Sequence, residues 1–217
     1  MARIKKIDRL KVKDMIKYPG AYQGLTDGLI KLPIPDSLMI GLKAYSIPLS
    51  MDEFTDTLCY GQRLFLAREE ESDMGIIMRM IEGYYYPLVT KNKWNEDEAL
   101  LFGKKVLNCK VKELYPVAMH FVTLTGEVAE RELMLLHREP SKVEKAAGIE
   151  KLNIFAELNA LDFLRDAMQI SVPEVLLTPY NECLVRFMAA KELNDYQEKY
   201  ADLMQKDVTP SSSKFTK

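Results

Sequence analysis

Few residues of this chain have the types and spacing that chemistry needs. Cys59 lies in "TLCYGQRLFL", beside Tyr60, Gly61 and Gln62. A nucleophilic thiol would want a basic neighbour to lower its pKa, and the nearest, Arg63, is one helical turn on. Met51, Phe54, Leu58, Gly61 and Phe65 recur around it at steps of three and four, the spacing of one helix face. Cys59 and Tyr60 fall beside that stripe. The cysteine therefore reads as part of a core helix, with Gly61 on the buried face, where a missing side chain admits a close neighbour. His120 and His137, the two histidines, have no carboxylate motif around them and do not read as a metal pair. His137 falls in the last turn of a helix, where a cation is favoured. The three glutamates of "REEESD" splay around a helix end, a solvated junction and a poor metal cage. The sequence contains no phosphate-binding glycine loop, GxSxG, HExxH or EF-hand loop. A carboxylate pair assembled only by the fold is the one acid–base arrangement left open. The expectation is a protein that is not an enzyme and needs no cofactor.

The elements around these residues are mostly helices. Ser50 and Glu53 have capping-box spacing, as do Ser141 with Glu144 and Ser171 with Glu174. A second stripe, Met74, Ile77, Ile81, Tyr84 and Leu88, reads as a helix ending at Pro87. Asn95 caps a third helix, "EDEALLFGKKVLN". Val111, Leu114, Ala118, Phe121 and Thr125 mark a fourth, with Pro116 near its start and Gly126 separating it from "EVAERELMLLHRE". Ile154, Leu158, Leu161, Leu164 and Met168 carry a long helix. Thr178-Pro179 opens the last one, with Val185, Ala189, Leu193, Tyr196, Tyr200 and Leu203 on one face. Before Ser50, Pro19-Gly20, Pro33, Pro35 and Pro48 break helices, and "LMIGLKAYSI" has room for one hairpin. The fold class is mainly α: an irregular multi-helix bundle over residues 50–206, an extended N-terminal arm over 1–49, and a disordered tail over 207–217.

The chain has 217 residues, 47% apolar and 29% charged, which suits one large domain with a real core. Its net charge of -2 argues against a general nucleic-acid binder. Charge is uneven, however: the first seventeen residues carry seven basic and two acidic side chains. Lys5, Lys6, Arg9, Lys11 and Lys13 are candidate contacts for an acidic protein surface, such as the "EEESD" region of another copy. Tyr84, Tyr85 and Tyr86 lack interleaved basic residues that would suit base stacking. They are placed half in the core and half on a protein partner. Three scattered cysteines without a CxxC suit a reducing compartment. No secretory signal and no membrane-spanning run is found.

Two stretches carry a resemblance. "SMDEFTDTLCYGQRLFLAREE", followed by a second helix and "KWNEDEALLFGKKVLNCKV", resembles proteins from the structural-gene blocks of tailed bacteriophages, with a Tyr-Gly-Gln helix start and an acidic-to-basic helix pair. "LNALDFLRDAMQISVPEVLLTPYNECLVRFMAAKELNDYQEKY" is similar to the C-terminal part of small phage proteins encoded near tail and neck genes. Together they span residues 50 to 200, and crAss-like phages are the nearest group. The resemblance implies a non-enzymatic virion component (neck, tail or internal), assembled in the host cytoplasm and localised in the particle. Its partners would be other virion or tail proteins and further copies of itself as a multi-copy homo-oligomer, with no membrane or nucleic acid. A tail-assembly chaperone absent from the mature particle and a regulatory adaptor are the alternatives.

Overall fold

Val12 and Met15, three residues apart, line one side of a short helix, and with Leu10 just before it they draw the N-terminal segment onto the rest of the chain. The computed structural model describes residues 9–17, 25–70 and 72–208. Lys5 and Lys6 lie outside these, as does most of the stretch read as a disordered tail. Within them, α1 (Val12–Lys17) and α2 (Thr26–Ile30) are helical, and β1 (Ser37–Ile40) pairs antiparallel with β2 (Lys43–Ser46). The two strands turn through Gly41 and Leu42, and Gly41 takes the positive φ of +68° that the turn needs. The expected hairpin is present, but the segment does not extend away as an arm. Leu10, Val12, Leu29 and Leu38 are wholly buried. The Val12 N–H donates to Cys109 O at 3.2 Å, and the Val111 N–H donates to Leu10 O at 2.9 Å. Pro33, Pro35 and Pro48 lie outside helices as expected, and Pro19-Gly20 lies outside the described residues. The apolar residues between them still find a core in their own chain.

Ser50 starts a helix as its spacing with Glu53 requires, its hydroxyl accepting from the Glu53 N–H at 3.3 Å. This helix, α3 (Met51–Asp56), is short, and α4 (Tyr60–Ala67) follows as a separate element. The single helix expected through Phe65 is broken at Thr57–Cys59. The Thr57 hydroxyl bonds back to Phe54 O at 3.0 Å, and Cys59 is extended. The break is held from outside. Leu58 O accepts from the Tyr180 N–H at 2.9 Å, and the Tyr60 N–H donates to Thr178 O at 2.9 Å. Two helix starts, whose first N–H groups have no partner within their own helix, thereby satisfy each other. Chain re-entry is in phase, so Phe54, Leu58, Gly61 and Phe65 all remain buried.

The centre of the bundle is α5 (Asp73–Thr90), packed on α6 (Glu96–Val106) and α7 (Val111–Leu136). Asn95 caps α6 as expected, accepting from the Glu98 N–H at 3.0 Å. Two expected boundaries do not occur. Pro87 lies inside α5, and Gly126 lies inside α7. A glycine costs a helix only about 1 kcal/mol. The buried face of α7, with Leu114, Phe121, Leu124 and Val128, outweighs that. Phe54, Tyr84, Tyr85 and Phe121 form the aromatic centre, with Tyr84 and Phe121 centroids 4.6 Å apart.

Beyond α7, α8 (Lys142–Ala147) begins on the Ser141–Glu144 box and stops at Gly148. A 3-10 turn over Ile149–Phe155 precedes α9 (Ala156–Met168), so the long helix expected here is divided. Ile154 is 81% exposed while Leu164 is wholly buried. The Ser171–Glu174 box opens α10 (Val172–Leu177), and α11 (Tyr180–Val208) closes the described chain. Its Cys183 and Leu184 are buried, and Phe187 packs on Phe163 at 5.4 Å. The apolar face from Val185 to Leu203 is exposed along its length.

Candidate functional site

The basic N-terminal residues that are described gather at the corner between α6 and α7. Lys11 bridges to Lys110 through the backbone, and Lys13 Nζ donates to Asn108 Oδ1 at 2.9 Å. Arg9 is exposed beside them in the chain. Across from this corner stands the β1–β2 turn, and between the two lies a groove of about 830 Å³. Its lining carries Lys43, Lys105 and Lys110 with a single carboxylate, Glu113, which pairs with Lys110 at 2.9 Å. Met39 and Leu42 supply apolar contact and are themselves exposed, Leu42 to 98%. Cys109 ties the groove to the hairpin, its thiol donating to Met39 O at 3.4 Å. Burial pushes that thiol up to about 11, so it stays protonated at neutral pH. A cationic rim around an apolar floor suits an acidic segment with a few apolar side chains. The N-terminal lysines were legible as a charge block. Lys43, Lys105 and Lys110 were not, because only the fold gathers them around one groove.

The three tyrosines are not at this surface or any other. Tyr84, Tyr85 and Tyr86 are buried in the aromatic centre, where the Tyr85 hydroxyl donates to Ser46 O at 3.1 Å and that of Tyr86 bonds Glu98. Their reading as a half-exposed partner contact is thus corrected: their rings are packed against β2, α3, α6 and α7.

The residues singled out for chemistry are quiet. Cys59 is the N-cap of α4, not a mid-helix residue, and burial raises its thiol above the ordinary value. His120 Nε2 lies 2.8 Å from Pro48 O and pins the exit of the hairpin. His137 is the C-cap of α7. Among the described residues, no three His, Cys, Asp or Glu side chains are placed to hold a metal ion, and no helix is long and apolar enough to cross a membrane.

A second, smaller cleft of about 290 Å³ opens between α4, α7, α9 and α11, with Tyr60, Arg63, Glu132 and Tyr180 in its wall. Arg63 grips Glu132 with two bonds, Nε to Oε1 at 3.1 Å and Nη2 to Oε2 at 2.6 Å. Burial pushes the Tyr180 hydroxyl up to about 12 and raises that of Tyr60 further. The cleft therefore presents a closed ion pair and two phenols that burial keeps protonated. The ion pair clamps α4 to α7, with Tyr180, Leu184 and Phe187 of α11 forming the rest of the wall.

No protein-family model, no curated protein and no solved structure matches this chain.

Proposed function

We propose that the chain is a non-enzymatic structural component of a tailed-phage virion, acting through protein–protein contacts. The observation that carries this reading is the amount of apolar side chain left outside a well-filled core. Leu42, Met134, Val143 and Ile154 are all at least 78% exposed, and they sit on four separate elements. Scattered single apolar residues are ordinary on a surface; the contiguous exposed stripe of Val185, Leu193, Tyr196, Tyr200 and Leu203 is not, and it supplies a contact face. The lysine-rimmed groove adds a site for an acidic protein segment. The phage assignment itself rests on the sequence resemblance across residues 50 to 200.

Mass spectrometry of purified particles from a phage that encodes the chain tests this. Recovery of the chain in fixed stoichiometry with tail or neck proteins is the expected result. Presence in infected cells with absence from finished particles would move the role to tail-assembly chaperone. A lone monomer associated with neither would point to an adaptor.

A further inference from the structure

The outer face of α11 is apolar along most of its length, and it lies opposite the face that packs on the body. At 100° per residue, Phe187, Lys191 and Glu198 share the inner side. There Phe187 stacks on Phe163, and Glu198 is bonded by Arg138. Val185, Ala189, Leu193, Tyr196, Tyr200 and Leu203 share the outer side. Val185 is 62% exposed, Leu193 56% and Tyr196 64%. From Ala189 onward these residues alternate in steps of four and three, the spacing that keeps a seam facing a second helix. Tyr196 and Tyr200 already stack on each other at 6.2 Å along that seam.

The order of residues along the seam is complementary to its own reverse. With a two-fold axis between positions 194 and 195, Leu193 meets the partner's Tyr196 and Ala189 meets the partner's Tyr200. Val185 lies level with the partner's Leu203. Each layer thus sets a small or aliphatic side chain against a larger one, as close packing requires. Charge agrees with size. Glu192 and Lys199 lie on one flank of the seam, two helical turns or about 10 Å apart. Reversal brings Glu192 opposite the partner's Lys199, and Lys199 opposite the partner's Glu192. Both are exposed, and among the described residues Glu192 has a 3.9 Å contact with Lys191. A parallel pairing in register would instead stack tyrosine on tyrosine and set Glu192 against Gln197, without a charge match.

We propose that the outer face of α11 is a self-association surface, pairing antiparallel with the same face of a second copy of this chain. It stands on α11 alone and does not depend on the phage reading.

Sedimentation of the full-length chain over a roughly hundredfold concentration range tests it, since a dimer of this kind dissociates on dilution. A monomer–dimer equilibrium is expected. Glu192→Lys and Lys199→Glu should each weaken the dimer about tenfold, because each replaces two attractions by two repulsions. The doubly substituted chain should dimerise like the original, and an equimolar mixture of the two single variants should form heterodimers. Circular dichroism should show every variant folded, since both positions are exposed. A monomer at all concentrations would overturn the proposal, as would a dimer that neither charge substitution weakens.

Discussion

Gln62 supplies the hydrogen bond that Pro87 withholds from α5. A proline has no N–H, so the carbonyl four residues earlier, that of Gly83, loses its helical donor. Gln62 Nε2 donates to Gly83 O at 2.8 Å, while Oε1 accepts from the Cys59 N–H at 3.1 Å. One buried amide thereby serves the start of α4 and the interior of α5. With the orphan carbonyl satisfied, α5 continues past Pro87 to Thr90 and keeps the aromatic centre in register.

Replacing Gln62 by leucine should therefore cost about 2–4 kcal/mol, because it leaves a buried carbonyl and a helix-start N–H without partners. Pro87→Ala restores a donor to Gly83 within α5, so Gln62→Leu should cost less in that background. Chemical denaturation of the four chains measures the coupling. Additive costs would mean that the amide and the proline are independent.

Gly61 is a close-approach position. A Cβ there would lie 2.7 Å from the Trp94 ring and 2.9 Å from Leu176 O, and the latter is backbone that cannot swing aside. Gly61→Ala should destabilise by about 1–3 kcal/mol and Gly61→Leu by more. Thermal melts of both variants check the order; an unchanged melting temperature for Gly61→Leu would mean that α4 and α10 are not in contact in solution.

The stripe around Gly61 was legible because steps of three and four survive a break that re-enters in phase. The break itself was not, since Thr57–Cys59 leaves the helix to pair with Thr178–Tyr180, more than a hundred residues away. Cys59 with Gln62 works as a helix start, yet cysteine is not among the usual caps and gives no signal. Pro87 looked like an end because the compensating donor sits on another helix. The apolar face of α11 was legible as a stripe, but its exposure was not, because periodicity identifies a stripe without saying what covers it. Of the groove, the N-terminal charge block was visible; the lysines from the hairpin and the α6–α7 corner are joined to it only by the fold.

Glu82 should make stability fall with rising pH. It is 6% exposed on α5, packed so closely on Gly103 of α6 that a Cβ there would overlap its carboxylate. Burial raises its pKa from 4.5 to about 7, with Arg79 opposing. A raised carboxyl holds its proton longer in the folded chain than in the unfolded one. Its contribution is therefore full below pH 4.5 and is lost as pH rises through about 7. The loss should reach at most about 3 kcal/mol. Glu82→Gln should remove it, flattening stability between pH 4.5 and about 7, the span between the two pKa values. An equal pH slope in both chains would place the titration elsewhere.

The N-terminal segment separates docking from charge. Deleting residues 1–17 removes Leu10, Val12 and Met15, all buried, along with the backbone bonds to Cys109 and Val111. Loss of even one such side chain costs about 2–4 kcal/mol, so the truncated body should melt well below the full chain. Reversing charge at the groove is a different experiment. Lys13 is exposed, and Lys43 and Lys105 line the groove from a strand and a helix. Changing all three to glutamate should leave the melting temperature within a few degrees, because exposed charges contribute little to stability. The substituted chain should nevertheless fail to enter particles, since an acidic partner segment would then meet like charge. Normal incorporation of this folded variant would remove the groove from the assembly surface and leave the exposed apolar side chains as the only contacts.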